Sequence, residues 1–372
     1  MATVATPASQ AAATAAATTS SNGGWFSELV GSLFGDIDAS SSAPAASTVV
    51  PVSSVVIPPQ SSTSPSFGLS TAQADSTDAT NSEIGTASSA SAGSSKFVSL
   101  SSQIQAIVGY AEGGAGITYS PYTKSGSCKS AGQVKHDILL LLAFKIIRMY
   151  SVDCSGIAYV VAAMGSHQKL FLGIWEINAV NTDLPSMAQQ VLSGSRGWSA
   201  VHTVAIGNEV IDSGRGTINQ VANAISAAGA WFELNAPSYK GPIVTVDTLT
   251  AVLANPGQMC DLGDYLAVNC HPYFSRIEAS TSGTWLRSQV AKLQQTCGSD
   301  RTILVTESGW PTSGKTVDQA VPSLYNQLLS IKSIANVMGD QLIMFTMYND
   351  YWKDPGAWNV EQHWGLFGDP SA

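Results

Sequence analysis

From Ile104 onward, apolar residues recur along the chain in two alternating textures. Short runs rich in Val, Ile, Leu and Phe occupy 116–122, 144–152, 169–178 and 201–210, then 242–247, 265–274, 301–310 and 341–351. Each reads as a strand. Between most of them lies an amphipathic stretch at helical spacing, such as 217–228, 284–295 and 317–334. Strands alternating with helices in this number, over roughly 270 residues, predict a (β/α)₈ TIM barrel across residues 104–372. A doubly wound open sheet would more often carry a Gly-rich phosphate loop after an early strand, and the sequence has none.

Residues 1–103 have a different texture. They are rich in Ala, Ser, Thr and Pro with little apolar periodicity, and Lys96 is the only basic residue among the first hundred. Such a segment buries too little surface to offset its ordering entropy, so a disordered segment is expected. Ser/Thr tracts with Pro also match O-glycosylated stalks, which points to secretion. One island, Trp25, Phe26, Leu29, Val30, Leu33, Phe34 and Ile37, has helical spacing and predicts a docking or transient helix. Met1 leads into Ala, Thr and Ser without the charged start or apolar core of a signal peptide.

Composition narrows the partners. The net charge is −9 and the pI near 4.9, whereas nucleic acid and anionic membranes require a basic surface. No membrane span is expected, because the most apolar run, Ile138 to Phe144, is far shorter than the roughly 20 residues that cross a bilayer. No Asn-X-Ser/Thr sequon occurs. The five cysteines fit no zinc spacing, and no metal or cofactor is expected.

In a barrel, function gathers where strands run into loops at the C-terminal face. The predicted strand ends there carry Tyr119; Arg148 and Tyr150; Trp175 and Glu176; Asn208 and Glu209; His271, Tyr273 and Phe274; Glu307 and Trp310; Tyr348 and Trp352. Aromatic plates stack on pyranose faces, and two carboxylates are the minimum machinery for cutting a glycosidic bond. One must be protonated to assist the leaving oxygen, the other ionised to attack or to activate water. Glu209 and Glu307 each follow an apolar strand, Val204–Gly207 and Ile303–Val305, so each is placed to enter a confined site that can tune its pKa. An isolated Glu at a strand end is more often a surface salt bridge, and the flanking residues decide against that here.

The stretches Ile206-Gly207-Asn208-Glu209-Val210 and Val305-Thr306-Glu307-Ser308-Gly309-Trp310-Pro311 together resemble glycoside hydrolase family 17, the β-1,3-glucanases and their relatives. Ile117 to Tyr122, Ile147 to Tyr150, Leu172 to Trp175, His271 to Phe274 and His363 to Phe367 extend the resemblance over nearly everything from Ile104 onward. It is closest to the fungal cell-wall branch, which includes yeast surface mannoproteins. The resemblance implies that Glu209 is the acid/base and Glu307 the nucleophile of a retaining mechanism. It further implies that Asn208 bonds the sugar 2-hydroxyl, that Tyr273 or His271 lies near the nucleophile, and that Arg148 keeps Glu307 ionised. The eighth strand departs from the family pattern: in Phe345-Thr346-Met347-Tyr348-Asn349-Asp350, the uncharged Thr346 and Asn349 follow the Phe where many members carry acidic residues.

Barrel topology also suggests thiol pairs. Cys128 and Cys154 follow the first and second strands and share the catalytic face. Cys260 and Cys297 precede the sixth and seventh at the opposite face, leaving Cys270 as a buried free thiol. The expected protein is a monomeric, extracellular cell-wall enzyme acting on β-glucan. A transglucosidase, and a glucan-binding mannoprotein with little turnover, are its rivals.

Overall fold

The computed structural model describes residues 102–370. Strands β1 (Gly116–Thr118), β2 (Ile146–Met149), β3 (Lys169–Ile174) and β4 (Val201–Asn208) are followed by β5 (Ile243–Thr248), β6 (Leu266–Asn269), β7 (Ile303–Ser308) and β8 (Leu342–Met344). All neighbours pair in parallel and β8 closes on β1, giving the TIM barrel expected from the alternating pattern. Around it run helices α1 (102–111), α2 (Ala131–Leu140), α3 (Gly156–Ala163) and α4 (Val180–Leu192), then α5 (Ile218–Asn235), α6 (Leu249–Ala254), α7 (Ser282–Cys297) and α8 (Leu324–Met338).

The period of two along each strand builds two cores. Ile117, Ile147, Leu172, Val204, Val268 and Val305 face outward and pack with helical residues such as Val134, Ile138, Leu184 and Leu286. Ile146, Phe171, Ala205, Val246, Ala267 and Leu304 point inward and fill the barrel. The inner core is therefore capped by whatever inward-facing residue comes next along each strand. On β2 that residue is Arg148.

Apart from β5, the strands are shorter than their apolar runs, because the last residues of those runs have left the ladder and form the loops of the C-terminal face. Pro121 is one such case, since it offers no N–H to pair. Helix α8 starts at Leu324 rather than near Val317. Pro322 disfavours helix at the residue before it, and Ser323 caps the helix by accepting from the Asn326 N–H. Helix α5 begins where Thr217 and Gln220 form a capping box. The structure joins Cys128 to Cys154 and Cys260 to Cys297, each with a Cα separation of 5.3 Å, and leaves Cys270 buried and free. The expectations for the Ser/Thr-rich segment and for the Trp25–Ile37 helix lie outside the described residues. Among those residues no helix is long and apolar enough to cross a membrane.

Candidate active site

Two irregularities in the ladder aim the carboxylates. Between β6 and β7 the register passes from Val268↔Val305 to Asn269↔Glu307, so β7 holds an extra residue and Thr306 and Glu307 together oppose inward-facing Asn269. A second shift falls between Ala205 and Asn208 of β4. There Gly207 takes a φ of +82°, and an added Cβ would lie 2.8 Å from Val210 Cγ2. Glu209 follows with a φ of +52°, a conformation that costs a non-glycine residue energy and persists where its surroundings hold it. Those surroundings are visible. The Glu209 N–H donates to Val246 O at 2.8 Å. The buried Asp247 carboxylate on β5 accepts from the N–H groups of Ile211, Asp212 and Thr248.

Glu307 is held ionised. Its Oε1 accepts from Arg148 Nη1 at 2.8 Å and from the Tyr150 hydroxyl at 2.8 Å, while His271 Nε2 lies 3.5 Å from Oε2. Burial alone would raise its pKa. The Arg148 charge and the His271 and Tyr150 contacts overcome that and bring it down to about 2. Glu209 has the opposite surroundings. Burial chiefly, and the negative charge of Glu307 next, push it up to about 8, although Asn269 Nδ2 donates to its Oε1 at 2.8 Å. At neutral pH the pair is therefore one carboxylate and one carboxylic acid, the division that glycoside cleavage needs.

Arg148 and Asn269 tie the two together. The guanidinium also donates to Thr306 O at 2.8 Å, to Asn269 Oδ1 at 3.2 Å and to Asn208 Oδ1 at 2.8 Å. With Asn208 Oδ1 so occupied, its NH₂ group remains to serve a ligand.

The residues expected at the strand ends fall in different places. Arg148, Tyr150, Asn208, Glu209, His271 and Glu307 converge as described. Trp175 and Trp352 stand at the rim with 40% and 42% of their surface exposed. Trp175 lies edge-on to Tyr150, and the Arg215 guanidinium sits 5.1 Å from its ring centre while also pairing with Glu176 at 2.7 Å. Phe274 is half-buried against Trp358 and Trp364.

Four expected sugar contacts are corrected. Tyr119 follows inward-facing Thr118 and so points outward into the helix layer. It is fully buried and bonds Asp137 Oδ2 at 2.9 Å. Tyr348 donates to the other oxygen of that carboxylate at 3.1 Å, and the buried ammonium of Lys129 pairs with it at 2.6 Å. Tyr273 and Trp310 have no exposed surface and pack edge to face, with Trp358 and Trp364 around Tyr273. The Trp310 N–H is bound by Val321 O. These two rings form the wall behind the site, not plates within it.

Three participants escaped the sequence reading. Asn269 was accessible to it, because it sits two residues before His271 with the same inward parity. Lys353 and Glu361 were not, since they come from an irregular segment after β8. Lys353 pairs with Asp350 at 2.8 Å. Burial would lower its pKa, but Asp350, Glu361 and Glu307 together raise it. Glu361 is raised by burial against the opposing influence of Lys353 and His271. The charge missing from β8 is thus supplied to the surroundings of Glu307 from further along the chain. No group of three or more metal-ligating side chains occurs among the described residues.

Residues 116–365 match the BtgE/BtgC glycoside hydrolase domain. The chain is 41% identical over 264 residues to the cell surface mannoprotein MP65 of Candida albicans, a match covering 70% of this chain and 68% of that one. It is also 41% identical over 262 residues to the probable family 17 glucosidase SCW4 of Saccharomyces cerevisiae, covering 70% and 67%. Among solved structures, the glycoside hydrolase family 17 β-1,3-glucanosyltransferase of Rhizomucor miehei shares the fold. Its TM-score is 0.57 at 20% identity, over 69% of this chain and 94% of the other.

Proposed function

Because the chain belongs to the BtgE/BtgC glycoside hydrolase family, we propose that it is a retaining enzyme of the fungal cell wall that cleaves β-1,3-glucan, with Glu307 as nucleophile and Glu209 as acid/base. The observation carrying this reading is the unlike surroundings of the two carboxyls: Arg148 and Tyr150 hold Glu307 through Oε1, whereas Glu209 has, among the described residues, only the Asn269 amide as a donor to its side chain and faces the negative charge of Glu307. The relatives, a cell surface mannoprotein and a probable family 17 glucosidase, support a glucoside substrate and a place at the cell surface.

The chemistry follows from the contacts. Oε1 of Glu307 is occupied by Arg148 and Tyr150, which leaves Oε2 to attack the anomeric carbon. Protonated Glu209 gives its proton to the departing glycosidic oxygen. Formation of the glycosyl ester removes the charge on Glu307 that helped to raise Glu209, so the Glu209 pKa falls. It then accepts the proton of the incoming hydroxyl as a base, and the ester breaks. The Asn208 NH₂ group is the donor available for a sugar hydroxyl near the reacting carbon.

Transfer to a second glucan in place of water is the other reading, favoured by the exposed tryptophans at the rim, which give an acceptor sugar a surface to stack on. A binding protein with little turnover is disfavoured by the intact carboxyl pair. Digestion of laminari-oligosaccharides at millimolar substrate, with chromatography of the products, tests these readings. Shorter products at every concentration mean hydrolysis, and longer products that rise with concentration mean transfer. Glu307→Gln should abolish turnover because an amide cannot form the ester, and Glu209→Gln should do so for poor leaving groups. Near-wild-type turnover by either variant would sink the assignment.

A further inference from the structure

A second structured surface stands beside the catalytic pair. The chain after β1 forms a small hairpin in which Tyr122 bridges to Cys128, and the Cys128–Cys154 bond fastens it to the loop after β2. The Tyr122 hydroxyl bonds the Asp153 carboxylate, one residue before that cysteine. Cys154 and Ser155 both adopt left-handed backbone, with φ of 55° and 51°, a conformation that persists where the fold over-determines it.

The hairpin supports an exposed ring. Tyr122 lies 4.8 Å from Trp352, edge-on. Gly126, at a φ of +83°, lets the hairpin close against Trp352, since an added Cβ would sit 3.0 Å from the tryptophan Cβ. The indole N–H donates to Asp350 Oδ1 at 3.2 Å, which sets the orientation of the ring while 42% of the residue remains exposed. A large apolar ring fixed in place yet left open to solvent loses little entropy on stacking and offers what a pyranose face requires.

The contacts of Trp352 are with Tyr122, Asp350 and Lys353. The connection to Glu307 runs through Lys353, whose ammonium is 5.4 Å from the Trp352 ring and 4.8 Å from Phe345, and Phe345 packs 5.2 Å from His271. Resting on the glucanase reading above, we propose that Trp352, braced by Tyr122 and the Cys128–Cys154 bond, is a distal binding surface for a β-glucan chain, and that the disulfide determines the preference for long substrates by positioning it. The natural ligand is a neutral β-linked glucose polymer, recognised by stacking.

The experiment compares kcat/KM on a laminari-heptasaccharide with that on a trisaccharide. A stacked sugar contributes enough to alter the ratio about fivefold. Trp352→Ala should lower the long-over-short preference by about that factor, and Cys128→Ser/Cys154→Ser should reproduce the effect. Tyr122→Phe, which keeps the ring and removes only the Asp153 tie, should lower it less. Cys260→Ser/Cys297→Ser, at the opposite end of the barrel, should lower the melting temperature and leave the ratio unmoved. Equal losses on both substrates, or a ratio that responds to the second cysteine pair as much as to the first, would overturn the proposal. A wild-type protein that cuts neither oligosaccharide would instead defeat the glucanase reading. The surface is then judged by titrating the Trp fluorescence of Glu307→Gln with the heptasaccharide. A quench that disappears with Trp352→Ala upholds it, and no difference between the two proteins overturns it.

Discussion

Replacing Arg148 by Met tests the electrostatic basis of the site. The substitution keeps much of the side-chain length and removes the charge beside Glu307. Nη1 lies 2.8 Å from Oε1; with each charge spread over its group, an effective separation of about 4 Å and a dielectric near 20 put the lost attraction at about 4 kcal/mol. That is enough to move the Glu307 carboxyl up by about 3 on the pH scale, from about 2 to about 5, with Tyr150 and His271 still in contact. In the wild type the acidic limb of kcat/KM set by Glu307 lies below the working range. In the variant it should emerge near pH 5, and the basic limb set by Glu209 should remain near pH 8. The Asn208 and Thr306 oxygens that Arg148 serves also lose a donor, so a stability loss of about 3–5 kcal/mol is expected and is followed separately by thermal unfolding. Arg148→Lys is the control, because it retains the charge and loses the fork; its acidic limb should stay low while kcat falls. The assay is the pH profile of kcat/KM on a laminari-oligosaccharide, using protein that unfolds cooperatively. An acidic limb unmoved in the Met variant would refute Arg148 as the group that keeps Glu307 ionised.

Other outcomes follow from the same contacts. Glu209 has a raised folded-state pKa, so the unfolded chain gives up this proton first and stability falls as pH rises between about 4.5 and about 8. Glu209→Gln escapes this, and its melting temperature should exceed the wild type's at pH 9 by the equivalent of roughly 5 kcal/mol, with little difference at pH 4.5; equal differences at both would contradict it. Tyr119→Phe should cost about 1–2 kcal/mol by removing a donor to buried Asp137 while KM stays unchanged, and a raised KM would return Tyr119 to the substrate site. Cys270, buried and with its thiol pKa pushed up by that burial, should be alkylated only after denaturation. A chain beginning at Ser101 keeps α1 and its buried Ile107 and Ala111, so it should melt with the full-length protein; a large drop would show that residues 1–100 pack on the barrel.

What could be read along the chain was what repeats or is local. Alternating apolar textures set the barrel, because a buried parallel strand and an amphipathic helix leave different periods in sequence. The strand-end position of Glu209 and Glu307 marked the pair, and loop topology separated the cysteines by barrel face. Side-chain direction was harder to read. Tyr119 and Arg148 both stand at strand ends, and one residue of parity sends the first into the helix layer and the second over the barrel core. The bulge that puts Glu307 opposite Asn269 leaves no periodic trace, since it is a mismatch between two strands and belongs to neither alone. The same holds for the charges. The two glutamates are chemically identical in sequence, and only the fold places Arg148 against one and leaves the other beside a negative charge with no cation against it among the described residues. Lys353 and Glu361 reach the site from a segment without regular structure, so no local pattern announces them. Whether an aromatic ring is a plate or a wall depends on what covers it, and for Trp310 and Trp352 that cover is built by residues distant in the chain. Periodicity determined which elements form; their mutual approach in three dimensions decided which groups meet and with what charge.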